Sequence, residues 1–382
     1  MASIPQITPE EFRDRQSKAV QAADDMGAAA LLVVGGPFYD RPGDLAYLTG
    51  HYPPFPSSNY EGDYRGLGYG AVVLPVDGGA YLVSDTAAYR EERVVADDIR
   101  PARNVPRTLA ELLRELKLAS QTVAFVGSEV APYAFVHEFA EGLSLDLKPA
   151  DSILRSARRK KSADELAMLR RAAQVAEVGM AAALAAIESG QTESEVCAQG
   201  IMASMAAGAD FVRYLRVLSG PYAGWPHRWP PATDRVLQDG ETVCMDLIGA
   251  VNGYQFDILR AGVVGEGSDE TRGLMQLARD ATEAAISACG PRVPVRDVVA
   301  AADDVLAGGG QLGNRAGFTG HGIGLETVEA PLIMKESNEV LREGDVICLE
   351  PGILVRGSHG ARFEYEVAIT DRGHEVLARG EA

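Results

Sequence analysis

Met245-Asp-Leu-Ile-Gly-Ala-Val-Asn-Gly-Tyr-Gln-Phe-Asp257 carries two carboxylates on either side of an Asn252-Gly253 pair. Asn-Gly is a hairpin signal, because both residues accept the positive φ that a tight turn requires. Two strands joined there bring Asp246 and Asp257 together. Asp246 directly follows the apolar run Val243-Cys-Met245. Desolvating an unpaired carboxylate on such a run is costly, so compensation is required.

Working outward, three more groups belong with this pair. Glu350 ends the run Val346-Ile-Cys-Leu349, and Glu364 lies in Ala361-Arg-Phe-Glu-Tyr-Glu-Val367, so a second pair of adjacent strands is expected to carry these two. His321 sits in Gly320-His-Gly-Ile-Gly324, where glycines let the backbone pass close to a crowded site. Any one of the five, taken singly, reads first as a residue satisfied by an arginine, a backbone donor or water. Together, four carboxylates repel unless cations neutralise them, and four carboxylates with one imidazole suit hard or borderline divalent metals. Two divalent ions are expected.

The rest of the chain sets the frame. Its 382 residues and 46% hydrophobic content suffice for two domains with substantial cores. With 36 basic against 54 acidic side chains the net charge is −18, which disfavours nucleic-acid and membrane-surface roles. No apolar stretch near the N-terminus approaches the roughly 20 residues of a membrane span, and none reads as a signal peptide. Cys197, Cys244, Cys289 and Cys348 form no CxxC pair. A reducing cytoplasm is therefore expected, and Cys244 and Cys348, which sit inside apolar runs, are expected to be buried thiols.

Short β-rich runs (Ala30-Leu-Leu-Val-Val34, Gly70-Ala-Val-Val-Leu-Pro75, Thr122-Val-Ala-Phe-Val126) and a helical stretch at 108–118 predict a small N-terminal α/β domain. Segment 39–69, crowded with Pro, Gly, Tyr and charged residues, reads as one long loop. The basic cluster Arg158-Arg-Lys-Lys161 reads as decoration on a linker, and Ser162-Ala-Asp-Glu165 has capping-box spacing for a helix start. The expected domains are 1–155 and 156–382. In the second, 165–187 and 192–207 predict helices, and 242–247 and 346–349 predict buried strands.

In order, the segments Met245 to Asp257, Gly320-His-Gly-Ile-Gly-Leu325, Leu349-Glu-Pro-Gly352 and Arg362-Phe-Glu364 resemble the metal-ligand motifs of the prolidase, creatinase and aminopeptidase P superfamily of pita-bread metallohydrolases. The resemblance covers residues 161–370. It implies a mixed α/β chain, with a creatinase-like N-terminal α/β domain before a pita-bread α+β catalytic domain. It also implies Asp246, Asp257, His321, Glu350 and Glu364 as ligands, for manganese first, with cobalt, iron or zinc as alternatives. Glu350 would double as the proton-transferring group. His227, in Pro226-His227 ahead of Pro231, Thr233 and Asp234, matches the family histidine that contacts substrate. Arg260 and Arg362 would orient ligand carboxylates or offset their charge. A homodimer is implied, in which Tyr60, Tyr64 and Arg65 would wall the pocket and clamp a substrate carboxylate.

One position departs from the peptidase pattern. Prolidases and aminopeptidases P carry a histidine in the stretch that here reads Glu326-Thr-Val-Glu329, and Val328 stands in its place. A valine cannot donate to a scissile carbonyl, and loss of one such donor costs on the order of 100-fold in turnover. His359, in Gly357-Ser-His-Gly360, is a candidate substitute donor. The first expectation is therefore hydrolysis of an amide, amidine or urea-like C–N bond in a small carboxylate-bearing molecule, similar to ectoine hydrolase or creatinase. The alternatives are a Xaa-Pro dipeptidase or aminopeptidase, and a non-catalytic binding protein on the same fold.

Overall fold

The computed structural model describes residues 6–55, 62–85, 90 and 92–379. The chain divides into two compact units, Gln6–Arg158 and one beginning at Arg159.

The N-terminal unit runs α1 (Pro9–Asp25), β1 (Ala30–Gly35), α2 (Gly43–Thr49), β2 (Gly70–Pro75), β3 (Tyr81–Ser84), β4 (Asp98–Pro101), α3 (Val105–Glu115), β5 (Thr122–Val126), α4 (Tyr133–Ala140), β6 (Asp146–Pro149) and α5 (Asp151–Arg159). Its six strands form one mixed sheet in the order β4-β3-β2-β1-β5-β6. Every residue of β1 and β2 is buried, as expected of strands covered on both faces. Leu32, Val34 and Val73 pack against Leu109, Leu112 and Phe139 of α3 and α4, while α1 and α2 also pack against β1.

Two expectations need correcting here. Segment 39–69 is not one loop: it contains α2, whose Leu45, Ala46, Tyr47 and Leu48 are buried and which stops at Gly50 in the left-handed conformation (φ 69°). Nor is the basic cluster surface decoration. Arg158, Arg159 and Lys161 are buried, since each has found a carboxylate within its own unit: Arg158 pairs with Asp44 at 2.7 Å, Arg159 with Asp345 at 2.7 Å and Lys161 with Glu329 at 3.1 Å.

The second unit runs α6 (Ala163–Ala185), α7 (Glu193–Ala207), β7 (Phe211–Ser219), β8 (Thr242–Val251), β9 (Tyr254–Val263), α8 (Asp269–Ser287), α9 (Val295–Gly308), β10 (Gly320–Gly322), β11 (Glu329–Ile333), β12 (Val346–Leu349), β13 (Gly352–Val355), β14 (His359–Arg362), β15 (Tyr365–Ile369) and β16 (His374–Val376). Ser162 and Glu165 close the expected capping box on α6, and Thr192 and Glu195 close another on α7. Both helices pack on the three-stranded sheet β7-β8-β9 around Ala176, Met180, Leu215 and Leu247. On the other side α8 and α9 cover β12 to β15 around Ala281, Ile347, Phe363 and Val367. The β8-β9 turn has Asn252 at φ 50° and Gly253 at φ 80°, as a two-residue hairpin of this type requires. No helix among the described residues is long and apolar enough to cross a membrane.

Candidate metal centre

Asp246 lies opposite Leu259 in the β8-β9 ladder, and Asp257 lies opposite Ile248. The two carboxylates are thus diagonal neighbours on one face of the hairpin, within reach of each other. His321 lies opposite Cys348 in the β10-β12 pair. The glycines beside it are required by space: a Cβ on Gly320 would sit 2.0 Å from the Cys348 carbonyl oxygen, and one on Gly322 would sit 2.3 Å from that of Ala330. Glu350 follows β12 and is held by its N–H donating to the Thr319 carbonyl at 2.8 Å. Glu364 precedes β15, and its N–H donates to the Leu259 carbonyl on β9, also at 2.8 Å. That bond ties the second strand pair to the first.

The five side chains converge. His321 Nε2 lies 3.7 Å from Asp257 Oδ2, 3.7 Å from Glu364 Oε1 and 3.9 Å from Glu350 Oε1. Ligand atoms of Asp246, Asp257 and Glu364 all fall within 4.8 Å of one another. His321 Nδ1 meets the Gly322 carbonyl at 2.9 Å. A carbonyl only accepts, so the ring proton sits on Nδ1 and the Nε2 lone pair faces the carboxylates, the arrangement a metal-binding histidine adopts. Phe318 stacks on this ring at 5.7 Å between centroids.

Several of these carboxylate oxygens are left without a partner. Asp246 Oδ1, Asp257 Oδ1 and Glu364 Oε1 are buried without a hydrogen-bond partner among the described residues. Burial, then repulsion from Glu364, Asp246 and Glu350, pushes the Asp257 carboxyl well above the usual carboxylate range. Burial, then repulsion from Glu350 and Asp246, does the same to Glu364. Burial also raises Glu350, against the opposing pull of Arg362. Orphaned acceptor oxygens aimed at a shared space beside an available imidazole lone pair are what a divalent cation satisfies, so the residues fit such a group.

The arginines act around this cluster. Arg362 Nη1 donates to Glu350 Oε2 at 2.8 Å and its Nη2 donates to the Pro226 carbonyl at 3.2 Å. Arg260, fully buried, grips the backbone of Glu364 (Nη1 to the carbonyl, 2.5 Å) and pairs with Glu177 at 2.5 Å, with its guanidinium over the Tyr365 ring. It therefore offsets charge and holds Glu364 by its main chain. Arg216, which the sequence reading passed over, lies directly across the ladder from Asp246 and pairs with its Oδ2. Its signal was an arginine inside Leu215-Arg-Val-Leu218, which needs a carboxylate partner to be buried. Glu366 was also missed: it accepts from the Asp257 N–H at 2.9 Å, and burial raises its carboxyl to about 8. The Cys348 thiol, close to His321 and Glu364, is pushed well up by burial and points its sulfur at the Asp257 carbonyl, 3.8 Å away.

Other expected residues are placed elsewhere. His227 is exposed, one position beyond the Pro226 carbonyl held by Arg362. His359 does not join the cluster. It is three positions along β14 from Arg362, hence on the alternate strand face, and its Nδ1 bonds Ser358 Oγ at 2.8 Å. In the N-terminal unit Arg65 pairs with Glu138 at 2.5 Å and Tyr64 lies beneath Arg103, so this arginine is not an unengaged anion clamp. Tyr60 lies outside the described residues. Val328 is 55% exposed, at the end of a loop anchored on β9 by Gln255, whose N–H donates to the Gly324 carbonyl at 2.8 Å.

Fold and site together describe a metallohydrolase. The sequence profile of metallopeptidase family M24 matches residues 167–371. The probable dipeptidase PepE of Mycobacterium bovis is 31% identical over 368 residues, covering 95% of this chain and 93% of the relative. The Xaa-Pro dipeptidase of Pyrococcus horikoshii is 27% identical over 313 residues, covering 80% and 88%. The crystal structure of dipeptidase PepE from Mycobacterium ulcerans superposes with a TM-score of 0.79 at 28% identity, covering 98% of this chain and 97% of that one. The chain belongs to metallopeptidase family M24, within the prolidase, creatinase and aminopeptidase P superfamily of pita-bread enzymes.

Proposed function

We propose that this chain is a metal-dependent dipeptidase of the Xaa-Pro type. The observation that carries the reading is the clustering of Asp246, Asp257 and Glu364, each with a buried carboxylate oxygen that has no partner among the described residues, beside His321, whose Nε2 lies 3.7 Å from both Asp257 Oδ2 and Glu364 Oε1. The relatives' dipeptidase names favour a short peptide over the amidine or urea-like substrate that the sequence put first. Asp246, Asp257, His321, Glu350 and Glu364 would hold two divalent ions, manganese being the first to supply. When bound, such ions supply water acidified toward neutral pH and a Lewis acid for the scissile carbonyl.

The remaining work falls to the chain's own groups. Arg362 fixes Glu350 through Oε2 and leaves Oε1 to carry a proton to the leaving nitrogen. His227 would meet the substrate carbonyl from the loop that Arg362 braces. The N-terminal unit is read as the creatinase-like domain, and the assembly as a homodimer, which sedimentation would check.

Val328 supports a second reading, the small-molecule C–N hydrolase, because it puts an alkyl group where peptidases of the superfamily carry an imidazole. The test is turnover of Xaa-Pro dipeptides and of small cyclic amidines and N-acylated amino acids, on one preparation, with Mn²⁺ and with chelator. Chelator-sensitive dipeptide cleavage is expected. Cleavage confined to the second set would transfer the assignment to the second reading, and failure to take up any divalent metal would leave a binding protein.

A further inference from the structure

The loop 219–233, which bears His227, is held by one buried carboxylate far from the metal ligands in sequence. Glu193, the first residue of α7, is fully buried. Its Oε1 accepts from the Ser219 N–H at 3.1 Å and from Ser219 Oγ at 2.8 Å. Its Oε2 accepts from the Thr233 N–H at 3.2 Å, from Thr233 Oγ1 at 2.6 Å and from Arg228 Nη2. Five donors therefore meet one carboxylate: two from each end of the loop and one from the residue next to His227. The Arg228 guanidinium is further fixed over the Tyr222 ring, 4.2 Å from its centroid.

The loop is pinned on its other side as well. A Cβ on Gly224 would lie 2.2 Å from the Val355 carbonyl oxygen, and one on Gly360 would lie 2.1 Å from that of Ala223, so the loop backbone is seated directly on the β13-β14 hairpin. Arg362 takes the Pro226 carbonyl from the metal-centre side. A flexible loop of this length would leave an exposed imidazole spread over many positions, whereas orientation of a reacting group demands one.

We propose that Glu193 is a positioning residue for His227, acting through Arg228 and the two loop ends. The inference rests on the functional reading above, in which His227 meets substrate. It is tested by a double-mutant cycle on the full chain with the substrate turned over in that assay, using Glu193→Gln, His227→Ala and the double variant. Glu193→Gln is isosteric, but its amide hydrogens face groups that themselves donate. We expect metal content per chain equal to wild type and a fall in kcat on the order of 10- to 100-fold. In the His227→Ala background the same change should have almost no further effect, because two residues acting as a unit are not additive.

A purely structural role would give effects that multiply, and that result overturns the proposal, as does unchanged turnover in Glu193→Gln. If His227→Ala alone leaves turnover intact, the functional reading of His227 has failed and no positioning role remains. Should Glu193→Gln not fold, Arg228→Met keeps the carboxylate and its other four donors, and the cycle is run with that variant under the same criteria.

Discussion

In the N-terminal unit a single imidazole is shut away from water: His51 is 2% exposed and its Nε2 has no partner among the described residues. In the second unit the four candidate ligand carboxylates Asp246, Asp257, Glu350 and Glu364 are buried as well, and three of their oxygens likewise lack partners among the described residues. The two regions resolve the same desolvation problem differently. Burial lowers the His51 pKa to about 4, so the ring stays neutral near pH 7 and the unpaired Nε2 carries no charge to desolvate. Protonating a carboxyl gives it one O–H that a single neighbour accepts, whereas a divalent cation takes several acceptor oxygens and the His321 nitrogen at once. An isolated orphan is tolerated, whereas convergent orphans mark a place for a ligand.

The sharpest way to break this contrast is to remove the convergence. Asp257→Asn should lower metal-dependent turnover by on the order of 1000-fold or more, since several kcal/mol of charge stabilisation goes with the metal. Metal analysis of the purified variant should show reduced content, and chelation of wild type should reproduce the loss. Turnover that survives both treatments would reduce the cluster to a set of raised carboxyls, no different in kind from His51.

The other half of the contrast is a pH effect. The folded His51 pKa of about 4 lies below the ordinary 6.5, so the unfolded chain takes up a proton that the folded one refuses. Stability is intact above pH 6.5 and is lost as pH falls from there toward 4, by about 3 kcal/mol in all. His51→Gln should therefore show a flatter dependence of unfolding free energy on pH across that window. Parallel slopes in the two proteins would mean that His51 is protonated while folded.

A smaller effect sharpens the metal-centre side. If Val328 limits peptide cleavage by failing to donate, Val328→His should raise kcat on Xaa-Pro dipeptides by on the order of 100-fold. No gain, with dipeptide activity already high, would show that another group supplies the donor.

How much of this was legible depends on the distance between partners. The β8-β9 hairpin was readable because its turn residues and both carboxylates lie within one short stretch, and the β12 and β15 segments because each glutamate sits at the end or edge of an apolar run. Capping boxes are local and were equally visible. What escaped was long-range pairing. Arg158 reads as a linker charge until Asp44, 114 residues away, is found beside it, and Arg159 until Asp345, 186 residues away, is. Arg216 belongs to the site only through the β7-β8 register, and Glu193 only through a loop that folds back on α7. No periodicity announces such partners, because the physics is in the contact and not in the segment.

His359 tests the opposite error, a residue that looked functional from its neighbourhood in sequence. It stands three positions before Arg362 and five before Glu364, close enough for a donor reading. Strand parity argues otherwise. Arg362 reaches Glu350, so the residues of β14 that share its face are those an even number of positions away, and His359 is not among them. Its ring nitrogen is engaged by Ser358 Oγ at the exposed end of the hairpin, where loss of one solvent-accessible hydrogen bond has little consequence. His359→Ala should therefore leave turnover within about twofold and stability within about 0.5 kcal/mol of wild type. A loss of turnover at unchanged stability and metal content would restore His359 as the substitute for the missing imidazole at Val328, and would place the hairpin end, not the loop 324–328, beside the reacting carbonyl.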